Sequence, residues 1–432
     1  MIHVSSKRTP EFSKTYFNPT LRQLQPKIDN LIGLVYTQLL LHMKKRILYS
    51  ASLFHAFNDA STVIVPMIFP LLYSQQFIIK KYSHIGILSN LGLLTTFLFQ
   101  IVIANYAHKF EYKHLLLFSS LGISLSVLLI TLSFNMISML FLYLLMRSFT
   151  SFYHPIGIAT VSKAHPDRGL DFAMGIQSGS GNLGVFAAFI SAGFLAQKFG
   201  WEVPLYVCAG VSVFFGALSY FIVRRSTLRS KIPIRPDFTS WLESLKDIKA
   251  YILGFIFGGA CWGTTVYYAP SLFNHKFQVP LGNTGVFLAF WIGTGTVMTY
   301  FFGYLSRKIG RGRLSIASLI GSTILLFVIG TSSAIGVAAV ALILFGAFLF
   351  LLFPAFQSFV GQKSSRKNQV LAFSIVANIQ MLTGSIVVLI AGFLSDKFGI
   401  NSPFLFLVGL GILVLANYLF RKDSLLFARH RY

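Results

Sequence analysis

Twelve long apolar runs limit most strongly how this chain can fold. Each run has roughly 18 to 25 residues, the length that an α-helix needs to cross the hydrocarbon core of a bilayer. The strands of a membrane barrel would instead alternate over about ten residues, so the sequence predicts an all-α membrane protein with twelve transmembrane helices. The runs lie at about 47–73, 84–107, 115–133, 137–160, 172–197, 203–223, 251–273, 284–306, 314–332, 337–361, 370–395 and 403–420.

The composition agrees with a protein whose main solvent is lipid. Of the 432 residues, 55% are hydrophobic and 11% are charged, against about 25% charged in soluble domains. A net charge of +24 would suit nucleic-acid binding if Lys and Arg clustered on a folded polar surface. They stand instead in short gaps between apolar runs, so we expect a lipid bilayer and no nucleic acid as partner. The two cysteines, Cys208 and Cys261, have no zinc-type spacing, so neither a metal nor another cofactor is expected.

The positions of Lys and Arg predict the orientation of the chain. With the N-terminus in the cytoplasm, the inner connections and the C-terminal tail hold 22 of these residues, and the outer connections hold five. Cytoplasmic loops carry an excess of Lys and Arg, so both termini are expected in the cytoplasm. The expected location is the plasma membrane, and the expected state is a monomer.

An internal repeat divides the chain into two halves. GFLAQKFG at 193–200 recurs as GFLSDKFG at 392–399, an offset of 199, and the same offset relates Pro155 to Pro354. Because each copy holds six helices, an even number, the two copies run in parallel across the membrane. The predicted domains are an N-terminal cytoplasmic tail (1–46), a six-helix bundle (47–223), a cytoplasmic linker (224–250) and a second six-helix bundle with a short cytoplasmic tail (251–432).

Two segments outside the runs carry their own expectations. Within the linker, residues 241–248 are expected to form a short amphipathic helix on the membrane surface. Residues 31–43 are apolar but too few to cross a bilayer. The sequence MKKR at 43–46 resembles a natural start of such a protein, so residues 1–42 are expected to be dispensable or to precede the true start.

Two charged side chains lie deep in the predicted helices, Asp59 in the first and Arg147 in the fourth. A charged group at the bilayer centre costs about 2.5 to 3.5 kcal/mol on insertion scales, so each is expected to face a cavity or a partner. They lie roughly 18 and 20 Å from the inner ends of their helices at 1.5 Å per residue, so their depths allow a pair. Such a pair is either a proton site whose affinity Arg147 biases or a static ion pair that holds the first bundle together.

Further side chains are candidates for proton transfer or for contact with a solute. His55 lies one turn before Asp59 on the same helix face, and His154 lies on the face of Arg147; either is a proton relay or a packing residue. An aromatic wall for an organic solute and a set of polar cavity contacts are also expected, and packing is the alternative for each. The aromatic candidates are Trp262, Tyr267 and Tyr268, and the polar ones are Asn58, Gln177, Asn182, Gln357 and Asn378.

Two loop segments and two helix segments resemble a known family. GYLSRKIGRGRL at 303–314 is similar to the loop motif that the major facilitator superfamily places between the second and third helices of each half. Gly303 and Gly310 match that motif, but Arg307 stands where the family has an acid, and ANYAHKFEYKHL in the first half has His108 there. The resemblance implies that this acid latches the inner side of the two halves, so a latch here must be built differently.

FHAFNDASTVIVPMIFPLL at 54–72 and FYHPIGIATVSKAHPDRGLDFAMGIQSGSGNLG at 152–184 are similar to helices of fosmidomycin-resistance-type efflux proteins. The resemblance implies that helices one, four, seven and ten line a central cavity, and that solute crosses by alternating access. The expected function is proton-coupled efflux of a small organic molecule, a drug or a metabolite. The alternatives are an uptake symporter for a small organic metabolite and a transport-inactive sensor on the same scaffold. No enzyme is expected, because no nucleophile–base–acid set occurs at membrane depth.

Overall fold

The structure, a computed structural model, describes the backbone of residues 19–165, 170–229, 238–364 and 369–420, and the side chains of 44–165, 172–229, 238–364 and 371–420. The expectation for residues 1–42 and the C-terminal tail after residue 420 therefore lie outside the described side chains. Contacts divide the chain into two compact units, Met1–Arg46 and Ile47–Tyr432. Everything below concerns the second unit.

The described residues are almost wholly helical, and twelve of their segments are long and apolar enough to cross a membrane. These segments match the twelve predicted runs to within a few residues, so the predicted all-α membrane fold is confirmed. The helices are α1 (Pro19–Ser74), α2 (Tyr82–Tyr106), α3 (Tyr112–Ile130), α4 (Met136–Thr150), α5 (Tyr153–Ala164), α6 (Leu170–Phe199), α7 (Glu202–Ile222), α8 (Phe238–Ile248), α9 (Ile252–Ser271), α10 (Leu281–Ile309), α11 (Arg311–Thr331), α12 (Ile335–Lys363), α13 (Gln369–Phe398) and α14 (Ser402–Phe420).

The fourth crossing differs from its counterpart in the second half, because it is broken into α4 and α5. A turn at residues 151 and 152 separates the two helices, and Pro155 lies in the first turn of α5. Proline is tolerated there because its missing N–H would have no helical partner in any case. In the second half, α12 continues through the equivalent Pro354. Both residues of the turn keep right-handed helical φ and ψ angles, so α4 and α5 together form one spanning segment, Met136–Ala164.

The sequence repeat is also a repeat of structure. Helices α2 and α10 begin 199 residues apart, as do α6 and α13, which is the offset of the repeated octapeptides. The last residues of those octapeptides, Gly200 and Gly399, have φ angles of +95° and +85°. Such angles favour glycine because a side chain would clash with the backbone, so both copies end their helix with the same turn.

The two halves meet along two equivalent surfaces. Helix α6 packs against α10, and α13 packs against α2; we call these contacts the α6–α10 seam and the α2–α13 seam. Both rely on glycine, because a Cβ on Gly285 would lie 2.1 Å from the Phe189 carbonyl oxygen, and one on Gly392 would lie 2.9 Å from the Tyr82 carbonyl oxygen. Small residues let the helix backbones approach this closely.

The bundle has two distinct ends, which we name for use below. The linker end holds α8 and the connections after α2, α5, α10 and α12. The far end holds the connections after α1, α3, α6, α9, α11 and α13. The predicted amphipathic helix of the linker is present as α8, and its placement on a membrane surface stays a prediction.

Candidate functional site

One carboxylate and two imidazoles meet midway along the spanning part of α1. The Nε2 atom of His55 lies 2.9 Å from Oδ2 of Asp59, one helical turn further on. From α5, Nε2 of His154 lies 3.6 Å from Oδ1 of the same carboxylate. We call these three residues the Asp59 cluster. Asp59 lies halfway between the ends of the spanning segment Lys44–Ser74, so the cluster lies near the midplane of the bundle.

The cluster keeps access to its surroundings despite this depth. The accessible fraction of the side chain is 9% for His55, 21% for Asp59 and 41% for His154. Charged groups at this depth avoid acyl chains and face the interior of a bundle or a water-filled cavity. A cavity reached by water is therefore the setting that suits Asp59 and His154.

The contacts of His55 define where its hydrogen lies. Its Nδ1 atom is 2.7 Å from the backbone carbonyl oxygen of Gln177, which can only accept, so Nδ1 carries a hydrogen. The Gln177 amide nitrogen also lies 2.9 Å from Nδ1, and one of its two hydrogens is donated to the Tyr153 hydroxyl at 2.8 Å. The Tyr153 ring stacks on the His55 ring with centroids 4.5 Å apart. This surround holds the imidazole in one orientation.

That orientation places two acceptor atoms face to face. When Nδ1 carries the hydrogen, Nε2 of the neutral ring is a bare acceptor, and it lies 2.9 Å from the Asp59 carboxylate. Two lone pairs repel at this separation, so a proton must lie between them, on the ring or on the carboxyl. Asn58 donates to the other carboxylate oxygen at 3.1 Å. The His55–Asp59 pair is therefore built to bind a proton.

Glycines on α6 give the cluster its space. A Cβ on Gly181 would lie 2.7 Å from Nε2 of His55 and 2.9 Å from Oδ2 of Asp59. A Cβ on Gly184 would lie 1.9 Å from the Ala56 carbonyl oxygen, so this residue lets α6 lie directly on α1. The glycine-rich run of α6 therefore allows close helix packing, and any larger residue at position 181 would collide with the imidazole and the carboxylate.

The predicted pair between Asp59 and Arg147 is not formed, and this expectation is corrected. Arg147 is 4% exposed, and its Nε donates to the Gly92 carbonyl oxygen on α2 at 3.4 Å. Among the residues that the structure describes, no carboxylate lies within 4 Å of it. Arg147 lies seven residues before His154 on the same crossing, roughly 10 Å away along the helix at 1.5 Å per residue. Because His154 is the residue that contacts Asp59, Arg147 lies too far along the crossing for the predicted pair.

The other polar candidates divide into two groups. Asn58 and Gln177 are buried and belong to the hydrogen-bond network of the Asp59 cluster. Asn182 and Asn378 are half-buried and Gln357 is exposed. Within the described part of the chain, these three make no hydrogen bond to the cluster, so their contact with a solute stays a prediction.

The predicted aromatic wall on α9 is not a single surface. Trp262 packs inside the second half, with ring centroids 5.3 Å from Trp291. The Tyr268 hydroxyl donates to the Val388 carbonyl oxygen at 3.0 Å. That hydroxyl also lies beside Gly86 of α2, 3.1 Å from the Cβ position of this glycine, and the Tyr267 hydroxyl lies 3.3 Å from that of Tyr143 in the first half. Positions 262, 267 and 268 are separated by 500° and 100° around a helix of 3.6 residues per turn, so their side chains diverge.

The loop motif at the linker end is built from local contacts. Gly310 joins α10 to α11 with a φ angle of +90°. The contact given for a Cβ on Gly303 is with the Arg307 side chain, 3.9 Å away. In the first half, Nδ1 of His108 lies 2.9 Å from the Asn105 carbonyl oxygen. Neither His108 nor Arg307 bridges the halves in the part of the chain that is described.

In the α2–α3 connection at the linker end, the residue with a carboxylate is Glu111. Its carboxylate lies 3.0 Å from Nζ of Lys113, 3.8 Å from His114 and 3.5 Å from Arg229, so it joins the α2–α3 connection to the segment after α7. The hydrogen bond from Lys113 holds the pKa of Glu111 below its ordinary value. A lowered pKa stabilises the fold above the carboxyl's ordinary range, and this contribution is lost as the pH falls through the lowered value.

We expect Glu111→Gln to lower the unfolding temperature in detergent slightly at pH 7, and the difference from the parent to shrink as the pH falls below about 4. Thermal unfolding of both proteins across this pH range measures it. Glu202→Gln at the far end is the matched carboxyl-to-amide control. An equal difference at every pH would contradict a charge-dependent role for Glu111.

Two residues that the sequence analysis missed join the halves at the far end. The Asp396 carboxylate accepts hydrogen bonds from the backbone N–H groups of Tyr82 at 2.7 Å and Ser83 at 3.1 Å. In the other seam, the Gln197 amide oxygen accepts from the N–H of Gly282 at 2.8 Å. Each residue caps the first turn of a helix, whose N–H groups lack helical partners. Asp396 and Gln197 are the fifth residues of the repeated octapeptides, so the repeat itself was the available signal.

His275 adds a third contact between the halves at the far end. Its Nε2 lies 3.1 Å from the Pro70 carbonyl oxygen and must donate to it, so Nδ1 accepts from the Tyr82 hydroxyl at 2.9 Å. The ring of Tyr73 stacks on that of Tyr82 with centroids 4.4 Å apart. The described polar contacts between halves therefore concentrate at the far end, and that end is closed.

Comparison with known proteins places this architecture in a family. A sequence model of the Major Facilitator Superfamily matches residues 51–388. A bacterial homologue of the human lysosomal transporter Spinster, in an inward-facing and unoccupied conformation, superposes with a TM-score of 0.75 at 12% identity, covering 87% of this chain and 96% of its own.

The nucleoside transporter NupG superposes with a TM-score of 0.68 at 12% identity, covering 87% of this chain and 98% of its own. These two likenesses concern the fold. A search of curated proteins gives no significant sequence match. The family match spans most of the chain and agrees with the twelve helices. The protein therefore belongs to the Major Facilitator Superfamily and is a membrane transporter rather than an enzyme.

Proposed function

We propose that this transporter is a proton-coupled exporter of a small organic molecule, a drug or a metabolite, in the plasma membrane. The observation that carries proton coupling is the 2.9 Å separation between Nε2 of His55 and Oδ2 of Asp59. With Nδ1 of His55 committed to the Gln177 carbonyl, a shared proton is what makes this contact attractive. The proton acceptor is accordingly the His55–Asp59 pair, with His154 as the exposed relay.

Electrostatics links the proton to the movement of the halves. Without the shared proton, the pair holds a neutral imidazole and a carboxylate, so it leaves a net negative charge near the bilayer midplane. Such a charge is costly when water is excluded. Closing the cavity over the unprotonated pair is therefore unfavourable, and binding of a proton removes this cost. This is the property that coupling by alternating access requires.

The charge distribution and two helix segments support export as the direction of transport. The excess of Lys and Arg in the connections at the linker end favours a cytoplasmic linker end, and in that orientation the closed far end faces outward. Residues 54–72 and 152–184, which contain the whole Asp59 cluster, are similar to efflux proteins of the fosmidomycin-resistance type. We propose a monomer, because each chain contains both halves and both seams.

A dye that reports luminal pH in proteoliposomes tests coupling and direction together. Drugs, sugars and organic acids are added outside in turn. Antiport predicts that an entering solute expels protons and makes the lumen more alkaline, whereas an uptake symporter would make it more acidic. Solute flux without any pH change would contradict proton coupling. Binding without flux for every solute bound would favour the transport-inactive sensor.

A further inference from the structure

The Asp59 cluster has the chemistry of a metal site as well as that of a proton site. His55, Asp59 and His154 each offer one ligand atom, and these atoms all lie within 4.8 Å of one another. Two imidazole nitrogens and a carboxylate oxygen suit zinc and its transition-metal neighbours. Magnesium and calcium prefer ligand sets made of oxygen alone, so the donor atoms select the class of ion.

The ligand atom of His55 is already oriented for a metal. Histidines that bind metals commonly donate their other ring N–H to a backbone carbonyl, which fixes the tautomer and the ring direction. Here Nδ1 makes that bond to Gln177 at 2.7 Å. The residue is 7% exposed, and its Nε2 is a buried atom that lies 2.9 Å from the Asp59 carboxylate.

The surroundings leave room for an ion. Zinc lies about 2.0 to 2.2 Å from nitrogen and oxygen ligands, which places ligand atoms of a tetrahedral site about 3.3 Å apart. Oδ2 of Asp59 lies 2.9 Å from His55 and Oδ1 lies 3.6 Å from His154, and one ligand atom from each of the three residues lies within 4.8 Å of the others. Small rotations of these side chains reach the spacing of a zinc site. Gly181 keeps a side chain out of the space beside these atoms, since a Cβ there would lie 2.7 Å from Nε2 of His55. His154, with 41% of its side chain accessible, is free to turn toward the ion.

We propose that His55, Asp59 and His154 bind one divalent transition-metal ion of the zinc class, in place of the shared proton, with the fourth position open to water or solute. This inference goes beyond the proposed function, because metal binding does not require transport. Its consequence for transport does rest on proton coupling. Because metal and proton use the same lone pairs, Zn²⁺ is expected to inhibit pH-driven flux.

Cobalt(II) is the probe for binding, since its visible absorption reports the number and type of its ligands. Purified protein without an affinity tag is titrated with Co²⁺ in detergent and then with Zn²⁺. We expect one equivalent of tetrahedral Co²⁺ that Zn²⁺ displaces. His154→Gln is expected to weaken binding more than about 100-fold, because losing only a hydrogen-bond partner of a ligand costs 10 to 100-fold. His108→Gln on the α2–α3 turn is the matched control and should bind like the parent.

A second variant replaces one metal ligand by another, so that binding can still be tested if His154→Gln fails to fold. His154→Cys replaces the imidazole by a thiolate, a ligand that Co²⁺ and Zn²⁺ also accept, and should add a sulfur-to-cobalt charge-transfer band that His108→Cys lacks. The absence of that band, or unchanged binding in His154→Gln, would overturn the proposal. Measuring pH-driven flux with a chelator present tests proton coupling without bound metal. The result for proton coupling is then independent of the result for metal binding from the cobalt spectra.

Discussion

Asp59→Asn is expected to reduce pH-driven flux in proteoliposomes to the level of empty vesicles. An amide cannot release or take a proton in the physiological range, so the driving ion loses its site. The replacement has nearly the same shape, and its NH₂ group can donate to the bare Nε2 of His55, which lies 2.9 Å from the native carboxylate. Folding is therefore expected to survive. Flux of a transported solute, with and without a pH gradient, measures the effect.

The matched control is Asp247→Asn, the same chemical change on the linker helix α8. This variant is expected to keep the response to the pH gradient. Elution and thermal unfolding of both variants should match the parent, which separates loss of coupling from loss of fold. Full pH-driven flux in Asp59→Asn would refute the role of the carboxylate, whatever solute is carried.

Gly285→Ala is expected to shift the transporter toward a state with an open far end. The added methyl group would lie 2.1 Å from the Phe189 carbonyl oxygen, and a backbone atom cannot turn aside as a side chain can. The α6–α10 seam must then separate. Overpacking of this kind costs about 1 to 3 kcal/mol, and 1.4 kcal/mol is a tenfold change in an equilibrium constant. We expect about a tenfold or greater shift.

A cysteine at Leu281 measures that shift, because Leu281 begins α10 in the α6–α10 seam, beside Gly193 of α6, and is 5% exposed. In a background without Cys208 and Cys261, a membrane-impermeant maleimide should label this cysteine faster when Gly285 is alanine. Gly210→Ala on α7 is the control, since a Cβ there meets no atom within 4 Å. Alanine favours a helix over glycine by about 1 kcal/mol, so the control should not accelerate labelling. Equal rates in both variants would contradict the tight seam.

The sequence was sufficient where a prediction depended on one helix alone. The twelve crossings follow from continuous apolar length, and the contact of His55 with Asp59 follows from the rise and twist of a single helix. The parallel arrangement of halves follows from the even number of helices in each copy. None of these requires knowledge of how one helix faces another.

Contacts between helices depend on how far each helix is shifted along its axis and rotated about it, which residue spacing does not define. Arg147 packs against Gly92 on α2 and does not reach Asp59. His154, seven residues further along the same crossing, is the residue that contacts the carboxylate. The polar cap at Asp396 was visible only as a difference between two copies of an octapeptide, and its partner lies 314 residues away.

The two caps at the far end make the seams unequal, although duplication made their backbones alike. Asp396 brings a negative charge and two hydrogen bonds to the start of α2, where the helix dipole favours an anion. Gln197 brings a neutral amide and one hydrogen bond to the start of α10. Hydrogen bonds to ionised acceptors are roughly twice as strong as neutral ones. The far end should therefore open first at the α6–α10 seam, while the α2–α13 seam stays together and acts as the hinge.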